Sequence, residues 1–93
     1  MLDKQGRIVI QPEFGEFPSG HREVHIYFSQ MENLYFILPK EDKNEFFVYR
    51  RNLDEKRRFY IPKDILKEYG TENVILAKKN GLIYILPFSY KEG

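Results

Sequence analysis

One nine-residue motif occurs twice in this chain, and the repetition limits the folds that the chain can adopt. Residues 2–10 read LDKQGRIVI, and residues 53–61, 51 positions later, read LDEKRRFYI. Four positions are identical in the two segments: Leu2 and Leu53, Asp3 and Asp54, Arg7 and Arg58, and Ile10 and Ile61. A proline follows each segment, at positions 12 and 62. Matched blocks of this kind indicate one structural unit used twice.

A second pair of matched blocks follows in the same order. Residues 34–39 read LYFILP and residues 82–87 read LIYILP, at an offset of 48, with four of six positions identical. We therefore predict two diverged copies of one unit, a degenerate copy at 1–41 and a second at 45–88. The segment that joins them is too short to separate two domains, so we expect a single domain over 1–93 with one shared core.

The apolar runs within each copy are typical of β-strands, because they are short, rich in β-branched and aromatic residues, and entered from polar turns. Eight Phe and seven Tyr add to this preference. Asn80 and Gly81 tolerate the positive φ of a tight turn and predict a hairpin. The sequence predicts a mostly β fold with strands over 7–10, 24–28, 34–38, 46–51, 58–61, 74–77 and 82–86.

One short helix is predicted, over residues 62–70. A proline stands at its start, apolar residues recur at helical spacing within it, and Gly70 marks its end. The matching stretch of the first copy, 12–20, contains two Gly and two Pro, which disfavour a helix. We therefore expect the first copy to lack the helix and to present its turn differently.

Composition excludes several classes of protein. The chain has no Cys, so it offers no disulfide, thiolate metal site or cysteine nucleophile. No apolar run reaches the length of a membrane helix, and we expect a cytoplasmic protein without membrane contact. His21 and His25 lie four apart at the entry to a predicted strand, where that spacing does not form a metal site. No catalytic constellation stands out, so we expect no enzyme, no cofactor and no metal.

The repeated motif also predicts two tight polar turns. A short carboxylate at Asp3 or Asp54 can accept backbone N–H bonds, and Gly6 can supply the positive φ that closes such a turn. Arg57 stands where the first copy has that glycine, so either it adopts the same conformation at a cost of about 1 kcal/mol or the second turn differs. A turn carboxylate paired with a nearby arginine is a purely structural reading of the motif.

The motif, the following proline, the short helix and the final hairpin together resemble the AbrB, MraZ and MazE group of transcription-regulator and antitoxin domains, the SpoVT-AbrB type. The resemblance covers most of the chain. It implies a swapped-hairpin β-barrel built from two such units, and a surface that binds DNA. It further implies that arginines before and after the turn contact DNA, which corresponds here to Arg51 and Arg58, to Arg7 in the first copy, and to Lys67 on the helix.

Local charge supports the same surface, although the net charge of the chain is only +1. Residues 50–58 contain five basic and two acidic side chains. Guanidinium groups donate in a planar fork that suits phosphate oxygens and guanine edges. The candidate DNA-binding residues are Arg7, Arg50, Arg51, Lys56, Arg57, Arg58, Lys63 and Lys67.

Two functions of different class remain open at this point. The first is a transcriptional regulator that binds double-stranded DNA through a basic strand-and-turn surface. The alternative is an antitoxin-like protein-interaction module that keeps the barrel, has lost DNA binding and binds a protein partner. Because no predicted strand precedes the first copy, one sheet edge stays open, which favours a homodimer over a monomer.

Overall fold

The structure is a computed structural model, and it describes residues 1–14, 22–39 and 47–90. Short strands dominate the described residues, with one α-helix and one turn of 3-10 helix. In chain order the elements are β1 (Arg7–Val9), the 3-10 turn (Pro12–Phe14), β2 (Glu23–Ser29), β3 (Leu34–Pro39), β4 (Tyr49–Asn52), β5 (Arg58–Tyr60), α1 (Lys63–Tyr69), β6 (Val74–Lys79) and β7 (Leu82–Pro87). The fold is mostly β, as the sequence predicts.

The strands form two antiparallel sheets. One is a ribbon of two strands, β1 and β5, and the other has five strands in the order β4-β2-β3-β7-β6. Strands from the two halves of the chain therefore pair with each other twice, once as β1 with β5 and once as β3 with β7. Pairing of this kind joins both halves through backbone hydrogen bonds.

Both pairings between the halves are centred on residues that match in the sequence repeat. In the ribbon Ile8 lies opposite Phe59, which is its counterpart 51 positions later. In the larger sheet Phe36 lies opposite Tyr84, its counterpart at the offset of 48. An antiparallel pair has a local two-fold axis through its central residues. Each of the two pairings thus has an approximate local two-fold axis that relates matching residues of the sequence repeat.

The core lies between the ribbon, the helix and one face of the five-stranded sheet. Because side chains alternate along a strand, Ile8 and Phe59 both face inward, and they are 3% and 1% exposed. The other members of the cluster are Ile10, Val24, Ile26, Tyr35, Ile37, Ile61, Ile65, Val74, Ile83 and Ile85. Burial of this apolar surface is the main force that fixes the ribbon against the sheet.

Helix α1 is attached to the sheet by the partly buried phenol of Tyr69. The Tyr69 hydroxyl accepts the backbone N–H of Tyr35 at 2.8 Å and donates to the carbonyl of Ile85 at 2.6 Å, so it bridges β3 and β7. Burial raises the pKa of Tyr69 to about 12. The helix ends at Gly70, whose left-handed φ of 67° lets its N–H bond back to the last turn. The predicted helix over 62–70 is confirmed.

Most strand predictions agree with the structure to within two residues, with one larger difference. β4 begins at Tyr49 instead of 46, and Phe47 precedes it with its ring stacked 4.2 Å from that of His25. Residues 15–21 and 40–46, which include the predicted boundary between the copies, lie outside the described residues. Among described residues no helix is long and apolar enough to cross a membrane.

Candidate nucleic-acid interface

The turn before β5 is organised by the Asp54 carboxylate. Its Oδ1 accepts the backbone N–H groups of Lys56 and Arg58 at 2.9 and 2.8 Å. Its Oδ2 accepts the Arg58 Nε–H at 2.8 Å. One carboxylate therefore closes the turn and also holds the guanidinium that follows it, as expected for a short acidic side chain in a polar turn.

The turn before β1 repeats this geometry atom for atom. Oδ1 of Asp3 accepts the N–H groups of Gln5 and Arg7 at 2.9 Å each, and Oδ2 accepts the Arg7 Nε–H at 2.8 Å. The expectation that the first copy presents its turn differently is wrong. The displaced Pro12 and the 3-10 turn in place of a helix come after β1, and they leave the hydrogen bonds of the preceding turn unchanged.

Charge and hydrogen bonding keep both turn carboxylates ionised. The backbone N–H of Arg7 holds the pKa of Asp3 below its ordinary value of 3.8, with smaller contributions from Gln5 and the Arg7 side chain. The N–H of Arg58 has the same effect on Asp54. Hydrogen bonds to the charged form of a carboxyl lower its pKa. Each arginine therefore has a permanently charged partner at neutral pH.

Arg57 occupies the glycine position of the second turn. Its φ is 63°, against 85° for Gly6, so of the two alternatives the arginine adopts the left-handed conformation of the glycine. Its side chain turns toward the other strand of the ribbon, where Nε–H donates to the carbonyl of Ile10 at 3.2 Å. This contact gives Arg57 a role in joining the two halves of the ribbon.

The outward face of the ribbon carries two arginines at diagonal corners. Arg7 lies opposite Tyr60, and Arg58 lies opposite Val9, all four pointing away from the core. Tyr60 is 52% exposed, and the Arg7 guanidinium lies 5.9 Å from the centre of its ring. Diagonal residues of an antiparallel pair are about 7 to 8 Å apart. The ribbon thus presents two guanidiniums, with an aromatic ring beside that of Arg7.

Strand β4 extends this face with two further arginines. An open groove of about 620 Å³ runs between β4 and the ribbon. The groove is lined by Arg7, Glu23, Arg50, Arg51, Asn52, Leu53, Asp54, Arg58 and Tyr60. Four arginines against two carboxylates leave an excess of positive charge along it, and the Asp54 carboxylate is already paired with Arg58. The groove has the charge of an anion-binding surface.

Half of the predicted DNA-binding residues meet at this groove and half do not. Arg7, Arg50, Arg51 and Arg58 line it together, although they come from three different strands. The other four predicted residues, Lys56, Arg57, Lys63 and Lys67, are absent from its lining. Tyr60 also lines the groove, and the sequence analysis missed it. Side chains alternate along β5, so an inward Phe59 predicts that the neighbouring Tyr60 ring points outward.

Among the described residues, the other side-chain clusters considered from sequence form no site comparable to the groove. His21 lies outside the described residues, and His25 is buried with its ring stacked on Phe47. Within the described part of the chain, no group of three His, Cys, Asp or Glu side chains has the arrangement of a metal site. Comparison of the chain with protein-family models, with curated proteins and with solved structures gives no match.

Proposed function

We propose that this protein binds double-stranded DNA through the outward face of the β1–β5 ribbon and the arginines of β4. We propose also that it acts as a transcriptional regulator of the AbrB-like type. The observation that carries the proposal is the pair of arginines, Arg7 and Arg58, each held through Nε by its own turn carboxylate. An arginine held through Nε is fixed in orientation, so its guanidinium can make a planar contact at a small entropic cost on binding. Nη1 of Arg7 also lies 3.9 Å from Oδ2 of Asp54, so the two turns are linked across the ribbon.

The shape of the ribbon suits the major groove of a duplex. That groove admits a two-stranded β-ribbon, and arginine donating to guanine O6 and N7 is the commonest specific contact there. The diagonal spacing of Arg7 and Arg58, about 7 to 8 Å, is close to two base-pair steps of roughly 3.4 Å. In this proposal the two ribbon arginines read bases, and Arg50 and Arg51 contact the phosphate backbone alongside.

The approximate two-fold axis supports the assignment to a fold assembled from two like units. The pairs Ile8 with Phe59 and Phe36 with Tyr84 each join residues that match in the sequence repeat. We propose that one chain of this protein supplies both units of a swapped-hairpin barrel. The DNA face then lies over the axis of the ribbon, with one arginine from each unit.

Selection from a random duplex pool at a stated salt concentration tests this function. We expect an enriched sequence, and binding whose log K falls linearly with log salt because phosphate contacts release counterions. A variant with both Arg7→Ala and Arg58→Ala should lose the sequence preference while remaining folded. Lys78→Ala, on β6 and away from the groove, is the matched control and should bind normally. Failure of the native protein to bind any duplex at low salt would reject the proposal.

A further inference from the structure

The two hairpins differ at one pair of equivalent positions, and the difference leaves a cavity. Tyr27 lies opposite Phe36 in the β2–β3 hairpin, and Ala77 lies opposite Tyr84 in the β6–β7 hairpin. Since Phe36 and Tyr84 are counterparts in the repeat, Ala77 stands where the first hairpin has Tyr27. The Tyr27 ring is 4% exposed and stacks on Phe36 at 5.4 Å. In the second hairpin a cavity of about 270 Å³ lies at this place, lined by Ala77, Lys78, Lys79, Tyr84, Leu86 and Tyr90.

Within the described residues, the same hairpin has an edge without a neighbouring strand. The outer edge of β2 is covered by β4, with Val24 opposite Arg51 and Ile26 opposite Tyr49. β6 is the last strand of the sheet order, so no strand among the described residues pairs with its outer edge. Internal symmetry therefore shows what kind of element fits there: an antiparallel strand, placed on β6 as β4 is placed on β2.

The hydrogen-bonding pattern identifies the backbone groups at that edge. The two-residue turn at Asn80 and Gly81 makes Lys79 and Leu82 a hydrogen-bonded pair, so alternate residues of β6 bond to β7. The bond from the Phe88 N–H to the carbonyl of Asn73 belongs to the same series. The N–H and C=O groups of Leu76 and Lys78 consequently point to the outer edge, where an added strand would meet them.

We propose that the outer edge of β6 binds an extended segment of a partner protein with an acidic, an aromatic and an apolar residue in succession. In an antiparallel strand these residues lie opposite Lys78, Ala77 and Leu76. The acidic side chain faces the exposed ammonium of Lys78, and β6 contains no carboxylate of its own. The aromatic ring enters the cavity over Tyr84, in the position that Tyr27 fills in the other hairpin. The apolar residue covers Leu76, which is only half-buried.

A second copy of this chain fits the edge less well. Pairing of β6 with β6 would bring the Lys78 side chains of both copies to one seam, where neither strand supplies a carboxylate. Lys79 is already paired with Glu32 at 3.2 Å and adds nothing to this repulsion. Because β6 contains no aromatic residue, such a pairing would also place no ring in the cavity beside Ala77 of either copy. Charge and shape both favour a strand of different sequence. This proposal is independent of DNA binding, because the groove and the β6 edge share no lining residue.

Titration with short synthetic peptides tests the proposal. The probe carries Glu-Phe-Leu within a threonine-rich, strand-favouring sequence, and amide NMR shifts of the native protein report where it binds. We expect saturable shifts centred on residues 76–78, and at least tenfold weaker binding when the peptide Phe is replaced by Ala. No binding at millimolar peptide, or shifts confined to the arginine groove, would overturn the proposal.

Two protein variants sharpen this test. Ala77→Tyr gives the second hairpin the side chain of the first, so it should fold and should exclude the peptide ring, with at least a tenfold loss. Lys78→Glu should weaken the Glu-Phe-Leu peptide about fivefold and strengthen a Lys-Phe-Leu peptide by a similar factor, since the ion pair is reversed. Arg58→Ala is the matched control and should bind the peptide normally. Equal binding by native protein and Ala77→Tyr would contradict the proposal, as would a dimer in sedimentation that the peptide fails to dissociate.

Discussion

The two turns of this protein are nearly identical, whereas its two hairpins have diverged. Asp3 and Asp54 make the same three hydrogen bonds, although the residue at the left-handed position is Gly6 in one turn and Arg57 in the other. In the hairpins, by contrast, Tyr27 is matched by Ala77, and the edge of β2 that β4 covers is matched by an edge of β6 that no described strand covers. A turn that one carboxylate closes tolerates little geometric change, while a packing position can be filled by different groups.

The largest effect is expected where the two halves meet in the core. Phe59 is 1% exposed and lies opposite Ile8 at the centre of the ribbon. Phe59→Ala should lower the free energy of unfolding by about 3 to 5 kcal/mol, and Ile8→Val by about 0.5 to 1.5 kcal/mol, because the larger truncation leaves the larger cavity. Urea unfolding followed by circular dichroism measures both. Equal losses for the two variants would show that the core does not close around this pair.

The helix of the second half gives the next largest effect. Tyr69→Phe removes the hydroxyl that bridges Tyr35 and Ile85, and leaves an N–H and a C=O of the sheet without that partner. We expect a loss of about 1 to 3 kcal/mol in the free energy of unfolding. The first half has no such helix among its described residues, so Phe14→Leu in its 3-10 turn should cost less. A larger loss for Phe14→Leu would reverse this ranking.

The same hydroxyl predicts sensitivity to alkali. The pKa of Tyr69 is raised from 10.0 to about 12 in the folded protein, so the unfolded chain loses this proton first as the pH rises. Its stabilising contribution is therefore complete below pH 10 and declines as the pH rises through about 12. Urea midpoints measured between pH 9 and 12 should fall less for Tyr69→Phe than for the native protein. If the urea midpoints of the native protein and Tyr69→Phe fell equally with pH, the stabilising role of the Tyr69 hydroxyl would be contradicted.

Substitutions at the left-handed position of each turn should change the free energy of unfolding by a smaller amount. Gly6→Ala places a side chain at φ 85°, where no atom lies within 4 Å of the new Cβ, so its cost of about 1 kcal/mol is backbone strain alone. Arg57→Gly relieves strain at the matching position, but it also removes the bond from Nε to the Ile10 carbonyl. We expect a gain below about 1 kcal/mol. Thermal unfolding of both variants checks the pair, and a stable Gly6→Ala would show that the first turn relaxes.

The smallest effect is expected from acid, which should reduce the stabilising contribution of each turn by the same amount. The pKa values of Asp3 and Asp54 are lowered from 3.8, so in acid the unfolded chain takes up protons before the folded one. Their contribution is present above pH 3.8 and is lost as the pH falls through the lower folded values. Asp3→Asn and Asp54→Asn should each reduce this acid dependence by the same amount in urea titrations. Unequal reductions would mean that the turns differ in solution.

Much of this arrangement was predictable because it depends on local sequence. The repeated Asp, the positive φ at Gly6 and Arg57, the Asn80–Gly81 turn and the short helix are set by residues close to one another in the chain. Assembly of the groove was harder to predict, because it depends on which strands lie side by side. Arg50 lines the groove because β4 pairs with β2, whereas Lys67 lies on α1 and is not among the lining residues.

Fluorescence anisotropy with a selected duplex tests most directly the proposed DNA-reading face, which the two carboxylate-held arginines form together. Arg7→Ala and Arg58→Ala should each weaken binding by about 1 to 3 kcal/mol at fixed salt and relax the preference for different bases. The two losses should be similar because the two turns have the same geometry. Lys78→Ala should leave the affinity unchanged. Native affinity in a folded protein that lacks both arginines would contradict the account.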